Sequence, residues 1–89
     1  MKSVRRDDHI IFSSDNGQMA LYDPENGDFF GINTVGEFLW NQMVDWISVE
    51  ALIAHTVNTF DGSSELIKQD VQVFLEAMME NNLILTKTE

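Results

Sequence analysis

The apolar period of this chain changes at Asn33, and that change constrains the fold more than any single motif in it. Before Asn33, apolar residues alternate between short turns, which is the period of strands. After it they recur every three to four residues, which is the period of helices. Ile10-Ile11-Phe12 reads as a first strand, ended by Ser13-Ser14-Asp15-Asn16-Gly17. Asn16-Gly17 suits the two positive-φ positions of a type I′ hairpin. Gln18 to Asp23 forms a second strand, with Met19 and Leu21 on one face and Ala20 and Tyr22 on the other. Pro24-Glu25-Asn26-Gly27 makes a second turn, and Asp28 to Ile32 is the third strand of an antiparallel meander.

Three helices are expected to follow. Thr34-Val35-Gly36-Glu37 reads as a capping box, in which the threonine and glutamate side chains bond each other's backbone N–H. Val35, Phe38, Leu39, Met43 and Val44 then share one helical face. Ser48 caps a second helix with the stripe Val49, Leu52, Ile53, Val57 and Phe60, stopped by Asp61-Gly62. A third helix runs from Ser63 or Ser64 to about Asn81-Asn82, with the stripe Ile67, Val71, Phe74, Leu75 and Met78. The tail Leu83-Ile84-Leu85 is apolar and returns along the core. Three strands then three helices predict one α+β domain over residues 1–89, the helices covering one face of a three-stranded antiparallel sheet. A meander this small has open edges, and an edge strand with free N–H and C=O groups invites another chain to pair with it, including a second copy in a dimer.

Composition narrows the function. Fifteen acids against five bases give a formal charge of −10, and three of the bases, Lys2, Arg5 and Arg6, lie in the first six residues. Such a surface repels phosphate backbones, so nucleic acid is not an expected partner. There is no cysteine, which removes disulfides, thiolate zinc sites and cysteine nucleophiles and suits a reducing cytoplasm. No apolar run of signal-peptide length follows the early arginines, and none approaches the roughly 20 residues that span a bilayer, so no membrane is expected.

Catalytic chemistry has little to stand on. The two histidines, His9 and His55, lack a second ligand at helical spacing, and both read as structural or solvated. Asp23, Glu25 and Asp28 crowd the second turn without the spacing of a calcium loop. No glycine-rich phosphate loop is present; Gly27 and Gly31 are separated by a strand. No cofactor, metal or catalytic residue is expected, and the chain reads as a binding protein rather than an enzyme. Trp40 reads as a core anchor, Trp46 as partly exposed, and at least one of Met78 and Met79 as core. Phe29 and Phe30 are adjacent in a strand and must face opposite sides, so one is core and the other marks an aromatic beside an open edge.

The run Leu21-Tyr22-Asp23-Pro24-Glu25-Asn26-Gly27-Asp28-Phe29-Phe30-Gly31-Ile32-Asn33-Thr34-Val35-Gly36-Glu37-Phe38-Leu39-Trp40 resembles the PqqD-like family. The pattern is strand, turn, a strand ending in an apolar-Asn pair, then a helix opening Thr-x-Gly and reaching Leu-Trp. Ser48-Val49-Glu50-Ala51-Leu52, Asp70-Val71 through Phe74-Leu75, and Asn82-Leu83-Ile84 continue the likeness, which spans roughly residues 8–85. The resemblance implies a winged helix-turn-helix-like fold that recognises the leader segment of a ribosomally made precursor peptide and presents it to modifying enzymes. It also implies that the leader adds as a strand antiparallel to the third strand, Asp28, Phe29, Phe30, Gly31 and Ile32, with Lys68, Val71, Gln72, Leu75, Met78 and Met79 of the third helix lining the groove. The short Asn-Gly turns and Gly31-Ile32-Asn33 before Trp40 look closest to the stand-alone leader-binding proteins of lasso-peptide clusters, whose partner is a separate leader peptidase. A peptide chaperone for a radical SAM enzyme in pyrroloquinoline quinone synthesis is the alternative within the family. A winged-helix DNA-binding protein is the rival outside it, opposed by Glu65, Asp70, Glu76 and Glu80 against Lys68 alone on the third helix.

Overall fold

The computed structural model describes residues 1–88. Its elements in chain order are β1 (Ser3–Arg6), β2 (Ile11–Asp15), β3 (Gln18–Asp23), β4 (Asp28–Ile32), α1 (Thr34–Gln42), β5 (Ile47–Ser48), α2 (Val49–Thr59), α3 (Ser64–Glu80) and β6 (Ile84–Lys87). The α+β class is as expected, and the three strands read from the sequence are β2, β3 and β4, hydrogen-bonded in that order. Three further strands form a second antiparallel sheet, in the order β5–β1–β6. The expectation of three strands followed by three helices is therefore too simple: the chain opens in a strand and closes in one.

The second sheet exists because of distant pairing. Val4 is the single apolar residue of β1, and it is fully buried between Ile47 of β5 and Thr86 of β6. Ser3 pairs with Lys87 and Arg6 with Ile84, so the two ends of the chain are zipped together. The apolar tail does return to the core: Leu83 and Ile84 are both buried.

In the first sheet the local chemistry is as the residues dictate. Asn16 and Gly17 have φ of 53° and 79°, the type I′ pair. In the β3–β4 turn, Gly27 has φ 81° and donates its N–H to the carbonyl of Asp23 at 2.8 Å, while Asn26 Oδ1 accepts from the Asp28 N–H at 2.9 Å. The helix cap of α1 differs from expectation. Asn33, not Thr34, is the N-cap, and its Oδ1 accepts from Gly36 N–H at 2.9 Å. Glu37 accordingly turns away from a capping box and accepts a hydrogen bond from the Ser14 hydroxyl at 3.1 Å, tying α1 to β2. Val44 lies beyond the end of α1 and is exposed, because the helix stops at Gln42 before the stripe can continue. Ser48 caps α2 through the Ala51 N–H, as read from the sequence. α3 ends in a left-handed Asn82, with Leu83 N–H bonding Met78 C=O and Asn82 N–H bonding Met79 C=O, a Schellman motif that turns the chain into β6.

The core lies where both sheets meet the helices. Val4, Leu21, Leu39, Trp40, Met43, Leu52, Val71, Leu75 and Leu83 are essentially inaccessible to solvent. Burying each large apolar side chain contributes about 1.5–3 kcal/mol. Trp40 is the largest, met edge-on by Phe12 at 5.9 Å, with the Arg6 guanidinium above both rings. Among the described residues, no helix is long and apolar enough to cross a membrane.

Candidate functional site

β4 forms one edge of the first sheet; among the described residues, no strand pairs with its other side. The register decides which of its backbone groups are free. The two-residue turn at Asn16-Gly17 makes Asp15↔Gln18 a hydrogen-bonded pair, and bonding then alternates, so Gln18, Ala20 and Tyr22 bond back to β2. Met19, Leu21 and Asp23 are left to bond β4, through their partners Ile32, Phe30 and Asp28. Phe29 and Gly31 therefore turn their N–H and C=O groups outward, a ready ladder for an added strand.

Side chains alternate the other way. Phe30 and Ile32 point inward against the core, while Phe29 stands on the outer face, 73% exposed, with its ring 4.5 Å from that of Tyr22. Phe30 is thus the core phenylalanine and Phe29 the exposed one. A Cβ built on Gly31 would meet nothing within 4 Å, so the middle of the edge is sterically open.

Beyond the end of β4, α1 and α3 enclose a hollow of about 440 Å³ lined by Asn33, Val35, Gly36, Leu39, Asp70, Val73 and Phe74. Its shape depends on Gly36: a Cβ there would lie 3.0 Å from the Phe74 ring and 3.1 Å from Ile32 Cβ. Glycine at this position lets α1 approach both Phe74 of α3 and Ile32 of β4 closely. The lining is mostly apolar, with the polar Asn33 and the charged Asp70, so it suits an apolar side chain, or an apolar one followed by a basic one.

The α3 residues anticipated from the family resemblance are placed differently from one another. Val71, Leu75 and Met78 are buried in the core beneath the surface. Met79 is exposed, at 42%. Lys68 and Gln72 lie on the opposite flank of α3, where they line a separate hollow with Met1, Lys2, Ser48, Val49, Glu50 and Ile53. The flank facing α1 carries Asp70, Val73 and Phe74. Helical spacing alone shows that 70, 73 and 74 share a flank and that 68 and 72 share another; which flank faces α1 requires the packed structure.

Two solved structures share this architecture from end to end. One is TbiB1 in complex with the TbiA(beta) leader peptide: TM-score 0.82, 16% identity, covering 96% of this chain and 99% of that one. The other is a lasso peptide synthetase B1 complexed with the leader peptide: TM-score 0.79, 16% identity, covering 93% and 98%. At this identity the likeness is one of fold. No curated protein matches the sequence. Residues 18–84 match the family described as coenzyme PQQ synthesis protein D (PqqD), which includes β3, β4, α1, the open edge and the hollow beside it, and the chain belongs to that family.

Proposed function

We propose that this protein binds the leader segment of a ribosomally synthesised precursor peptide by strand addition to β4, without catalysing a reaction itself, and presents it to a separate leader peptidase in lasso-peptide assembly. The carrying observation is the outward backbone of Phe29 and Gly31 on an edge strand that leads, through Asn33, to the hollow between α1 and α3. Main-chain bonds along the edge give sequence-tolerant affinity, and alternate leader side chains entering the hollow give selectivity. The site comprises Asp28, Phe29, Phe30, Gly31 and Ile32 on the strand, with Val35, Leu39, Asp70, Val73 and Phe74 as the wall. Val71, Leu75 and Met78 support that wall from beneath. Similarity to two leader-bound B1 proteins across almost their whole length supports this reading.

The family description names coenzyme PQQ synthesis, which suits one second reading, a peptide chaperone for a radical SAM enzyme in that synthesis. It uses the same edge and differs in the precursor bound. DNA binding is opposed by the charge of −10 and by the acidic α3. The test is an NMR titration of ¹⁵N-labelled protein with the leader peptide encoded beside its gene. Shifts are expected at residues 28–32 and at Val35, Val73 and Phe74, with Lys68 and Gln72 unmoved. An unchanged spectrum at high micromolar leader would refute leader recognition.

A further inference from the structure

At the far end of the β2–β3–β4 sheet, two segments distant in sequence meet. His9, in the connection between β1 and β2, inserts beside the β3–β4 turn. Its Nδ1 lies 2.6 Å from Asp7 Oδ1, and its Nε2 lies 3.3 Å from Asp23 Oδ1 and 3.8 Å from Glu25 Oε2. The Nε2 atom is sealed from solvent and, among the described residues, forms no hydrogen bond. The Asp23 side chain is 3% exposed, and among the described residues His9 is its single ionic neighbour. It accepts one hydrogen bond, from the Glu25 N–H at 2.9 Å. A carboxylate this buried is costly without a positive charge against it, and a ring nitrogen 3.3 Å away that forms no hydrogen bond to it is not a satisfied pair.

We propose that His9 Nε2, Asp23 and Glu25 bind a divalent transition-metal ion of the zinc class, with Asp7 as the positioning residue behind His9. The three ligand atoms lie within 4.8 Å of one another. With metal–ligand bonds of about 2.0–2.1 Å, adjacent donors of a tetrahedral site sit roughly 3.3 Å apart. The His9–Asp23 gap already has that spacing, and Glu25, which is 77% exposed, is free to close its own. Asp7 fixes the tautomer by accepting the Nδ1 proton and so directs the Nε2 lone pair into the site, the usual carboxylate–histidine–metal arrangement. The imidazole donor selects zinc, copper, nickel or cobalt over magnesium and calcium. A metal would clasp the β1–β2 connection to the turn that leads into β4, and so stiffen the strand that carries the open edge.

The probe is zinc chloride titrated calorimetrically into the chelator-treated full chain at neutral pH, with histidine-ring ¹⁵N spectra recorded alongside. One ion should bind with micromolar affinity, the His9 Nε2 resonance should shift, and thermal stability should rise. His9→Gln and Glu25→Gln should each weaken binding at least tenfold, Asp7→Asn ten- to hundredfold, and His55→Gln should leave it unchanged. Glu25 is exposed, so its variant folds normally and keeps the test valid if the His9 variant does not. Magnesium should cause no saturable shift at His9. The proposal is overturned if zinc fails to bind, or if Glu25→Gln and His9→Gln bind it as wild type does, which would reveal general attraction to an acidic surface. It is equally overturned if Nε2 proves to carry a proton that zinc does not displace.

Discussion

Replacing Gly31 with proline tests strand addition at its most specific point. The register turns the Gly31 N–H away from β3, so in the free protein proline removes no ladder bond. Phe30 before it is already in extended backbone, as proline demands of its predecessor. The folded state should therefore tolerate the change, with a melting temperature within a few degrees of wild type. Leader binding should not tolerate it. One N–H···O bond worth about 0.5–1.5 kcal/mol net disappears, and the opposing leader carbonyl is left unpaired at a cost of about 1–3 kcal/mol, partly counted in the first figure. A combined loss of roughly 1.5–3 kcal/mol corresponds to a ten- to hundredfold weaker Kd. Fluorescence anisotropy with labelled leader, paired with a melting curve, measures both quantities. Gly31→Ala keeps the N–H and adds a Cβ in open space, so it should bind within a few-fold of wild type. Phe30→Pro is the converse, because its N–H faces β3; it should lower the melting temperature markedly. Wild-type leader affinity in a folded Gly31→Pro protein would refute the proposed edge.

Other perturbations separate the wall of the groove from its support. Val73→Gln, at a position 67% exposed, should leave urea stability unchanged and weaken leader binding three- to tenfold by anisotropy. Lys68→Ala should change leader affinity less than twofold, because Lys68 faces the hollow beside Val49; a tenfold loss would return the binding site to that flank. Gly36→Ala gains about 0.5–1 kcal/mol of helix propensity, yet its Cβ must displace the Phe74 ring and press on Ile32 Cβ. Overpacking of about 1–3 kcal/mol should win, giving lower urea stability together with weaker leader binding. Trp40→Ala should cost about 3–5 kcal/mol by removing the central core ring and its contacts with Phe12 and Arg6.

What the sequence discloses, and what it withholds, divides by the range of the interactions. Asn16-Gly17, the β3–β4 turn, the Ser48 cap and the stripes of α2 and α3 are decided within a few residues, and they are readable for that reason. The α1 cap slipped by one residue because Asn33 and Thr34 are both competent caps and nothing local chooses between them. β1 and β5 were invisible: one offers a single apolar residue beside two arginines, the other is two residues long, and both exist through pairing across the whole chain. That hidden sheet also bears on how α3 sits. Core positions Val71, Leu75 and Met78 fix the axis of α3 and leave two flanks, one with Lys68 and Gln72, one with Asp70, Val73 and Phe74. Which flank meets α1 depends on how α3 is rolled, and its roll is set by the Schellman turn into β6 and the pairing of β6 with β1. The outward groups of Phe29 and Gly31, by contrast, follow from parity alone. Counting alternate pairs back from a two-residue turn reaches them without any tertiary knowledge. The open edge of β4 is therefore legible in the sequence, while the roll of α3 depends on the pairing of β6 with β1.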